Sequence, residues 1–352
     1  VLVGGAAINK RFGWRILVLE DGNYYEPGVA YCKDAFEGLS TMDTLMNDEK
    51  RSAFLEKLKA SSAMEMGRAL QSTEEVDENR RSTVEPAGKP PEPPFWGTAV
   101  VRDIPLDDVF DCLNLNELYR LSWGAKNAHG EQWEKIRAEF DQKLEQMRLE
   151  AHASNWLKPQ AVYGYFPVQA EGNQVIVYDP EKWKKGEKVE VSRLSFPRQR
   201  NDPYLCLADF FNSVESGVMD VAPLQVVTVG LEATKRIEHM QNDALYTDAY
   251  FNHGLAVQMA EATAEYLHRR VRKELGVEEG QGKRYSWGYP SIPDLEDHEK
   301  VFELLPARKE LGLGLSPAFQ ILPEQSTAAI VLHHAGARYF NIGESRVGQL
   351  LG

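Results

Sequence analysis

Cysteine is scarce in this sequence and follows no recognisable pattern. The 352 residues include three cysteines, Cys32, Cys112 and Cys206, and no C-x-x-C motif. An odd number of widely spaced thiols argues against a disulfide framework and against a cysteine-based zinc site. The G-x-S-x-G, H-E-x-x-H and P-loop motifs are also missing, which excludes the usual signatures of serine hydrolases, zinc proteases and P-loop nucleotidases.

The sequence also lacks a long apolar run and a strongly basic surface pattern. No stretch of about 18 apolar residues is present, and the N-terminus has no secretory-signal pattern. The formal net charge is −13, and the longest basic run, RRVRK at 269–273, falls within a helical pattern. We therefore expect a cytoplasmic protein that binds neither nucleic acid nor a membrane, and we expect no metal site.

What is present suits more than one domain, since the chain is 43 % hydrophobic and 352 residues long. Residues 1–71 start with an apolar strand pattern and end in a helical pattern, as the last part of an α/β domain does. Residues 72–94 are charged, end in prolines and lack apolar periodicity, which predicts a mobile linker. Residues 95–352 mix strands and helices too irregularly for a doubly wound sheet, which predicts an α+β domain.

Within residues 95–352, three patterns predict particular elements. Residues 164–179 form two apolar runs around a Gly-Asn pair, which is typical of two strands joined by a turn. Residues 231–275 carry a long helical pattern. The runs AAIVLHH (328–334) and ARYFNIG (337–343) predict a closing hairpin.

The segment GKRYSWGYPSIPDLEDH (282–298) is too rich in glycine and proline for a regular helix or a long strand. Arg284 is suited to hold a carboxylate through a bidentate fork. Tyr285, Trp287 and Tyr289 are suited to line a cationic or heteroaromatic ligand. The same residues equally suit a loop fastened to the core by its aromatic rings, and the sequence leaves both interpretations open.

Other candidates have ordinary explanations beside functional ones. Glu261 lies at the edge of an apolar helical face, where it is either a solvated glutamate or a carboxylate aimed at a cationic ligand. Glu265 and Arg269 are spaced for an i,i+4 ion pair. His333 and His334 adjoin on a predicted strand, so their side chains point to opposite faces and suit packing better than a shared metal ion.

Three segments together carry a family resemblance. AEATAEYLHRRVRKELG (260–276), EEGQGKRYSWGYPSIPDLEDHEKVFELL (278–305) and ARYFNIG (337–343) resemble, in this order, the C-terminal activation domain of cobalamin-dependent methionine synthase. The start of the chain looks like the final part of that family's cobalamin-binding domain. The resemblance implies an α+β activation domain with helices and a twisted antiparallel sheet over 95–352. It also implies that the C-terminal portion of an α/β Rossmann-like domain precedes it.

The resemblance implies that the domain binds S-adenosylmethionine and donates its methyl group to reduced cobalamin during reactivation. Arg284 matches the family arginine that grips the methionine part of the ligand, and Asn114 stands where the family usually has an aspartate. Ser286 stands where alanine is common. The ligand residues that the resemblance implies are Asn114, Glu261, Glu278, Arg284, Ser286, Gly288, Tyr289, Tyr339 and Phe340.

For cobalamin, the resemblance leaves only Gly4, Gly5 and Ala35 as contacts. The D-x-H-x-x-G motif, whose histidine ligates cobalt in the family, is absent from the sequence. The implied partners are a flavodoxin-like or other electron donor and the remaining modules of the same enzyme, which is a methyltransferase. The alternative is a free-standing module that senses S-adenosylmethionine or docks an electron donor without catalysis.

Overall fold

A computed structural model of the chain describes most of its residues. The described residues are 1–4, 10–19, 22–32, 35–71, 81–85, 88–278 and 280–342. None of the helices in these ranges combines the length and the apolar character that a bilayer crossing requires.

The N-terminal region begins with a parallel strand pair. The strands β1 (Leu2–Val3) and β2 (Ala30–Tyr31) pair in parallel, and the helix α1 (Lys10–Arg15) lies on the connection between them. The helices α2 (Ala35–Met46) and α3 (Asp48–Gln71) follow, and α1 packs against α3. Because parallel strands need a crossover connection, this arrangement has the β-α-β character expected at the end of an α/β domain.

The second region mixes strands and helices along the chain. Its strands are β3 (Gly97–Val101), β4 (Gln160–Glu171), β5 (Gln174–Tyr178), β6 (Glu190–Ser195), β7 (Asp220–Thr228), β8 (Lys283–Ser286), β9 (Gly314–Leu315), β10 (Ile321–Leu322) and β11 (Ser326–Leu332). Its helices are α4 (Leu106–Phe110), α5 (Leu115–Glu117), α6 (Gly130–Ser154), α7 (Pro180–Trp183), α8 (Leu231–Asn242), α9 (Tyr246–Glu274), α10 (His298–Leu304) and α11 (Ala307–Leu311). A π-helical turn at Leu118–Ser122 follows α5, and a 3₁₀ turn covers Leu207–Phe210.

One antiparallel sheet organises this region. Its strand order is β6-β5-β4-β7-β11-β8, and β3 pairs with β4 beside this path. All of its strand pairs are antiparallel. The domain is therefore α+β with a mostly antiparallel sheet, which confirms the predicted fold class.

The strand β4 supplies side chains to both faces of the sheet. Phe166 and Val168 belong to one buried cluster, which includes residues of α10 and α11. Tyr163 and Tyr165 belong to a second cluster on the opposite face, which includes most buried residues of α9. Since successive strand residues point to opposite faces, this alternation makes the sheet an inner layer between two cores.

The helix α9 is fixed to the sheet near its C-terminal end. Glu274 accepts hydrogen bonds from the hydroxyl groups of Tyr163 and Tyr165, at 3.1 and 2.7 Å. Arg270, one turn earlier, donates to the same carboxylate at 2.8 Å. A half-buried carboxylate with three donors stabilises the position of the helix on the sheet.

Two of the predicted elements are confirmed and one is wrong. Residues 164–179 contain the end of β4 and the whole of β5, joined by a turn at 172–173, and 231–275 is helical except for the turn between α8 and α9. The predicted hairpin does not form, because residues 338–342 are not in a strand. The reason is that β11 is already paired with β7 on one edge and with β8 on the other.

Part of the predicted linker lies against the second region. Ser82 donates a hydrogen bond to Asp209 at 2.7 Å, and the Gly88 carbonyl accepts one from Asn212 at 3.1 Å. Val84 packs against the buried cluster that contains Phe166. These positions of the predicted linker thus contact the second region, and residues 72–80 and 86–87 of the predicted linker lie outside the described residues.

Candidate functional site

The strand β8 places an arginine and a serine on the face of the sheet that carries α9. Arg284 is paired in register with Val331, whose side chain belongs to the cluster on the α9 face. Ser286, two residues later, shares the face of Arg284. Tyr285 points the other way and is buried, which is the loop-to-core fastening that the sequence left open as an alternative.

The turn after β8 directs Tyr289 toward α9. Gly288 has a φ of +86°, and a Cβ built on it would lie 3.1 Å from the Leu295 side chain. The Gly288 amide donates to the Ile292 carbonyl at 2.7 Å, and the Ile292 amide donates back to the Tyr289 carbonyl at 2.9 Å. Glycine is required here by both the backbone conformation and the space.

Four of the predicted ligand residues meet in one hydrogen-bonded cluster. The Arg284 Nη2 lies 3.0 Å from Glu261 Oε2, and the Tyr289 hydroxyl donates to Glu261 Oε1 at 3.0 Å. The Arg284 Nη1 donates to Ser286 Oγ at 3.1 Å. We call Glu261, Arg284, Ser286 and Tyr289 the Arg284 cluster. Glu261 is therefore paired within the protein and is not a merely solvated glutamate.

The Arg284 cluster combines partial burial with open access. The side chains of Arg284 and Glu261 are 16 % and 25 % exposed, whereas Tyr289 is 46 % exposed. Burial raises the pKa of Tyr289, and the negative charges of Glu261 and Glu117 raise it further. Tyr289 therefore remains a neutral hydrogen-bond donor at physiological pH.

A second acidic group lies one turn along α9 from Glu261. Burial alone raises the pKa of Glu265, but hydrogen bonds from His268 and Arg269 outweigh it and lower this pKa to about 2. The Arg269 Nε lies 3.0 Å from Glu265 Oε1, which confirms the predicted i,i+4 pair. Glu265 was not among the predicted ligand residues, although its charge acts on the neighbouring Tyr339.

Tyr339 and Phe340 lie beside the loop, although not on the strand that the sequence pattern predicted for 337–343. The ring centroids of Tyr285 and Tyr339 are 5.4 Å apart in an edge-on contact, and those of Tyr285 and Phe340 are 6.4 Å apart. The Tyr285 hydroxyl also donates to the Arg338 carbonyl at 2.7 Å. Burial raises the pKa of Tyr339, with Arg284 opposing this shift and Glu265 and Glu261 adding to it.

The structure places the two other predicted ligand residues outside the Arg284 cluster. Asn114 caps α5, where its side chain accepts a hydrogen bond from the Glu117 amide at 3.2 Å. Glu278 is exposed and accepts a hydrogen bond from Gln281 at 3.0 Å. Among the described residues, no hydrogen bond joins either side chain to the cluster. Glu117, whose charge acts on Tyr289, was missed because a helix-end glutamate carries no sequence signal of its own.

The residues predicted for cobalamin give little support to a corrinoid site. A Cβ on Gly4 would lie 2.6 Å from the Cys32 carbonyl oxygen, so this glycine is explained by the packing of β1 against β2. Ala35 begins α2, and Gly5 lies outside the described residues. No group of His, Cys, Asp or Glu that is able to hold a metal ion occurs in the described parts of the chain.

The adjacent histidines have structural partners, as the sequence predicted. His333 is buried and its Nε2 lies 2.6 Å from Asp220 Oδ1. Asp220 also accepts hydrogen bonds from the backbone amides of Asn212 and Val221, at 2.8 and 2.7 Å. The Nε2 of His334 lies 2.9 Å from the Glu85 carbonyl oxygen of the predicted linker.

Comparisons with known proteins point to one family. Residues 99–351 match the family model described as "Vitamin B12 dependent methionine synthase, activation domain". The chain is 33 % identical to methionine synthase of Mycobacterium tuberculosis over 393 aligned residues, and 32 % identical to that of Mycobacterium leprae over 396. These alignments cover 97 % of this chain and 32 % of each relative, so the chain spans about a third of their length.

A solved structure shares the fold. This structure, "Crystal Structure of the MetH Reactivation Domain bound to AdoHcy", superposes on the chain with a TM-score of 0.66 at 24 % identity. The match covers 78 % of this chain and 90 % of that one. At this identity the likeness establishes the architecture.

Proposed function

Because the chain belongs to the family of vitamin B12 dependent methionine synthase activation domains, we propose that it binds S-adenosylmethionine for the reactivation of a longer, cobalamin-dependent methyltransferase. In that enzyme it presents the methyl group of S-adenosylmethionine to reduced cobalamin. This reactivation supports methyl transfer from methyltetrahydrofolate to homocysteine by the complete enzyme.

The observation that carries this proposal is the convergence of Glu261 and Arg284 with Ser286 and Tyr289. These residues come from α9, from β8 and from the turn after it, and all lie within the matched residues 99–351. A cation and a carboxylate side by side suit a ligand that carries both a carboxylate and positive charge. The structural relative is bound to AdoHcy, which is the demethylated form of such a ligand.

Each residue has a chemical task in the proposed complex. Arg284 takes the ligand carboxylate through its planar fork, and Glu261 takes a cationic group of the ligand. Tyr289 keeps Glu261 in place and offers its ring face to the sulfonium or the adenosine part. The rest of the proposed ligand site is lined by Gly288, Ser286, Tyr339 and Phe340. We retain Asn114 and Glu278 as proposed contacts on the strength of the resemblance alone.

The chain holds at most part of a cobalamin site, since the D-x-H-x-x-G motif is absent from its sequence and Gly4 also serves the packing of β1 against β2. We therefore assign the rest of the corrinoid site to another module of the enzyme and derive no step through it. The other modules of the enzyme and a flavodoxin-like or other electron donor are the proposed partners.

Calorimetric titration of the full 352-residue chain with S-adenosylmethionine tests the proposal. We expect saturable heat with one site per chain and an increase in melting temperature, because a ligand that binds the folded state stabilises it. Absence of both at millimolar ligand would exclude the proposed function. Adenosine and methionine, titrated separately, serve as controls for the two halves of the ligand.

A further inference from the structure

The charges in the Arg284 cluster already neutralise each other without a ligand. The guanidinium of Arg284 lies 3.0 Å from the carboxylate of Glu261, and both side chains are largely buried. A charge that is withdrawn from water depends on its partner, because removal of one member leaves the other poorly solvated. When a ligand approaches this site, Arg284 and Glu261 are therefore already paired with each other.

Both members of the ion pair are also held in position by a neutral neighbour. Tyr289 donates to the Glu261 oxygen that Arg284 leaves free, and Ser286 accepts from the second terminal nitrogen of Arg284. These bonds fix the cation and the carboxylate where a ligand meets both at once. The serine matters because its hydroxyl offers an acceptor that an alanine lacks.

The surroundings of the pair are negative on balance. Glu265 lies one turn away on α9, and the charges of Glu265 and Glu261 both act on the Tyr339 phenol. Glu117 acts on Tyr289 from the α5 side. Arg284 pairs with Glu261, and both Arg269 and His268 contact Glu265. An anion that enters without accompanying positive charge therefore meets carboxylates and finds no uncommitted cation among these groups.

We propose that the Glu261–Arg284 ion pair is a charge-matching latch, which opens for a ligand that brings both a carboxylate for Arg284 and a cationic group for Glu261. The proposal rests on the proposed function, since it concerns the same site. It goes further than the proposed function, because it predicts that the site selects ligands that carry both charges. The internal pair is exchanged for two external pairs, so the number of neutralised charges is preserved.

A ligand with a single charge cannot make this exchange. If only a carboxylate arrives, Arg284 changes partner and Glu261 remains as a largely buried anion without its cation, one turn from Glu265. If only an amine arrives, Glu261 changes partner and Arg284 is left alone. Each case sacrifices one ion pair to form another, so the single charge brings little net affinity. The two charges are thus strongly non-additive.

Four related nucleosides test this rule on the full chain by calorimetry. S-adenosylhomocysteine carries both charges, its deaminated analogue keeps the carboxylate, its decarboxylated analogue keeps the amine, and methylthioadenosine has neither. We expect both single-charge ligands to bind no more tightly than methylthioadenosine. S-adenosylhomocysteine should bind at least about ten-fold more tightly than any of them. If each charge instead adds its own gain in binding free energy, so that affinity rises stepwise from methylthioadenosine through the single-charge ligands to S-adenosylhomocysteine, the latch is wrong.

The variant Glu261→Gln should change the affinities for two of these ligands in opposite directions. It releases Arg284, so affinity for the deaminated carboxylate analogue should rise by about three-fold or more above the wild-type value, whereas affinity for S-adenosylhomocysteine should fall. Glu238→Gln, at an exposed position of α8, is the matched control and should change neither. Weaker binding of both ligands to Glu261→Gln would contradict the exchange.

The outcomes separate the latch from the function on which it rests. If wild-type protein binds neither S-adenosylmethionine nor any of the four nucleosides, the proposed function fails and the latch fails with it. If S-adenosylmethionine binds but none of the four does, only the latch fails. If S-adenosylhomocysteine binds but the contributions of its two charges to the binding free energy are additive, only the latch is wrong. If Glu261→Gln does not fold, as thermal melting would show, the wild-type affinities for the four nucleosides alone decide.

Discussion

The hydroxyl of Tyr289 donates a 3.0 Å hydrogen bond to Glu261, which precedes it by 28 residues. This bond joins the turn after β8 to the middle of α9, so the candidate site spans the boundary between a sheet edge and a helix. Residues on both sides can then be tested separately for binding and for stability.

Replacement of Arg284 should weaken ligand binding, and it should also lower the stability of the unliganded protein, because it leaves the largely buried Glu261 without its cation. Arg284→Ala removes the carboxylate fork, and charge-assisted hydrogen bonds are worth about 1.5–3 kcal/mol, so the dissociation constant for S-adenosylmethionine should rise by about ten-fold to a hundred-fold. Arg284→Lys keeps the charge without the fork and should fall between. Calorimetry gives the affinities, and unchanged affinity in Arg284→Ala would remove this residue from the site.

Arg308→Ala provides a matched control for Arg284→Ala. Arg308 is an exposed arginine paired with Glu299, at 2.8 Å, and it belongs to α11. Its loss should leave the affinity unchanged. A large drop in the melting temperature of unliganded Arg284→Ala, with normal affinity, would instead show that Arg284 only fastens the loop.

The loss of folding stability as the pH falls should depend on Glu265. Its pKa in the folded protein is about 2, below its ordinary value of 4.5, so the unfolded state binds more protons between these values. The contribution of Glu265 is therefore complete above about pH 5 and is lost as the pH falls toward 2. Thermal melts from pH 6 to pH 2.5 should show a shallower loss of stability in Glu265→Gln than in wild type.

The exposed Glu303 of α10 offers a control for this pH dependence. Glu303→Gln should leave the slope of melting temperature against pH at the wild-type value. An identical slope for Glu265→Gln and wild type would contradict the lowered pKa.

Gly288→Ala should destabilise the turn that carries Tyr289. The φ of +86° and the 3.1 Å approach to Leu295 both oppose a Cβ, and such strain costs about 1–3 kcal/mol. Gly186→Ala is the matched control, because Gly186 has a similar φ of +79° with nothing within 4 Å of its Cβ position. Chemical denaturation should show a larger loss for Gly288→Ala, and equal losses would mean that Leu295 moves aside freely.

The docked part of the predicted linker should resist proteolysis. Ser82→Ala removes the hydrogen bond to Asp209, which itself pairs with Arg198. We expect thermolysin to cleave next to Val84 several-fold faster in Ser82→Ala than in wild type, because local opening exposes the bond. Ser154→Ala, at the exposed end of α6, is the matched control, and thermolysin should cleave it next to Val84 at the wild-type rate. Rapid cleavage next to Val84 in wild type would contradict docking.

Local patterns were enough for elements whose partners are close in sequence. Residues 164–179 predicted β4, β5 and their turn correctly, because the alternation and the Gly-Asn pair are both local signals. The Glu265–Arg269 pair likewise follows from helical spacing. The hairpin of 328–334 and 337–343 was wrong, since pairing depends on which edges of β11 are free, and this is a property of the whole sheet.

The site itself could be predicted only in part. The residue types in the loop 282–298 indicated a carboxylate-binding arginine beside aromatic rings, but no pattern joins Arg284 to Glu261, 23 residues earlier. The resemblance supplied that connection. It also suggested Glu278, which the structure leaves outside the Arg284 cluster, whereas Glu117 and Glu265 became apparent only through their charges at Tyr289 and Tyr339.

The anchoring of Glu274 by Tyr163 and Tyr165 sets the rotational phase of α9. Glu261 lies 13 residues before this anchor on a continuous helix. Insertion or deletion of one residue between them would turn Glu261 by about 100° around the helix axis and carry it away from Arg284. The spacing between positions 261 and 274 is therefore as fixed a requirement of the site as the identity of its residues, while length changes elsewhere in the domain's surface turns leave that phase intact.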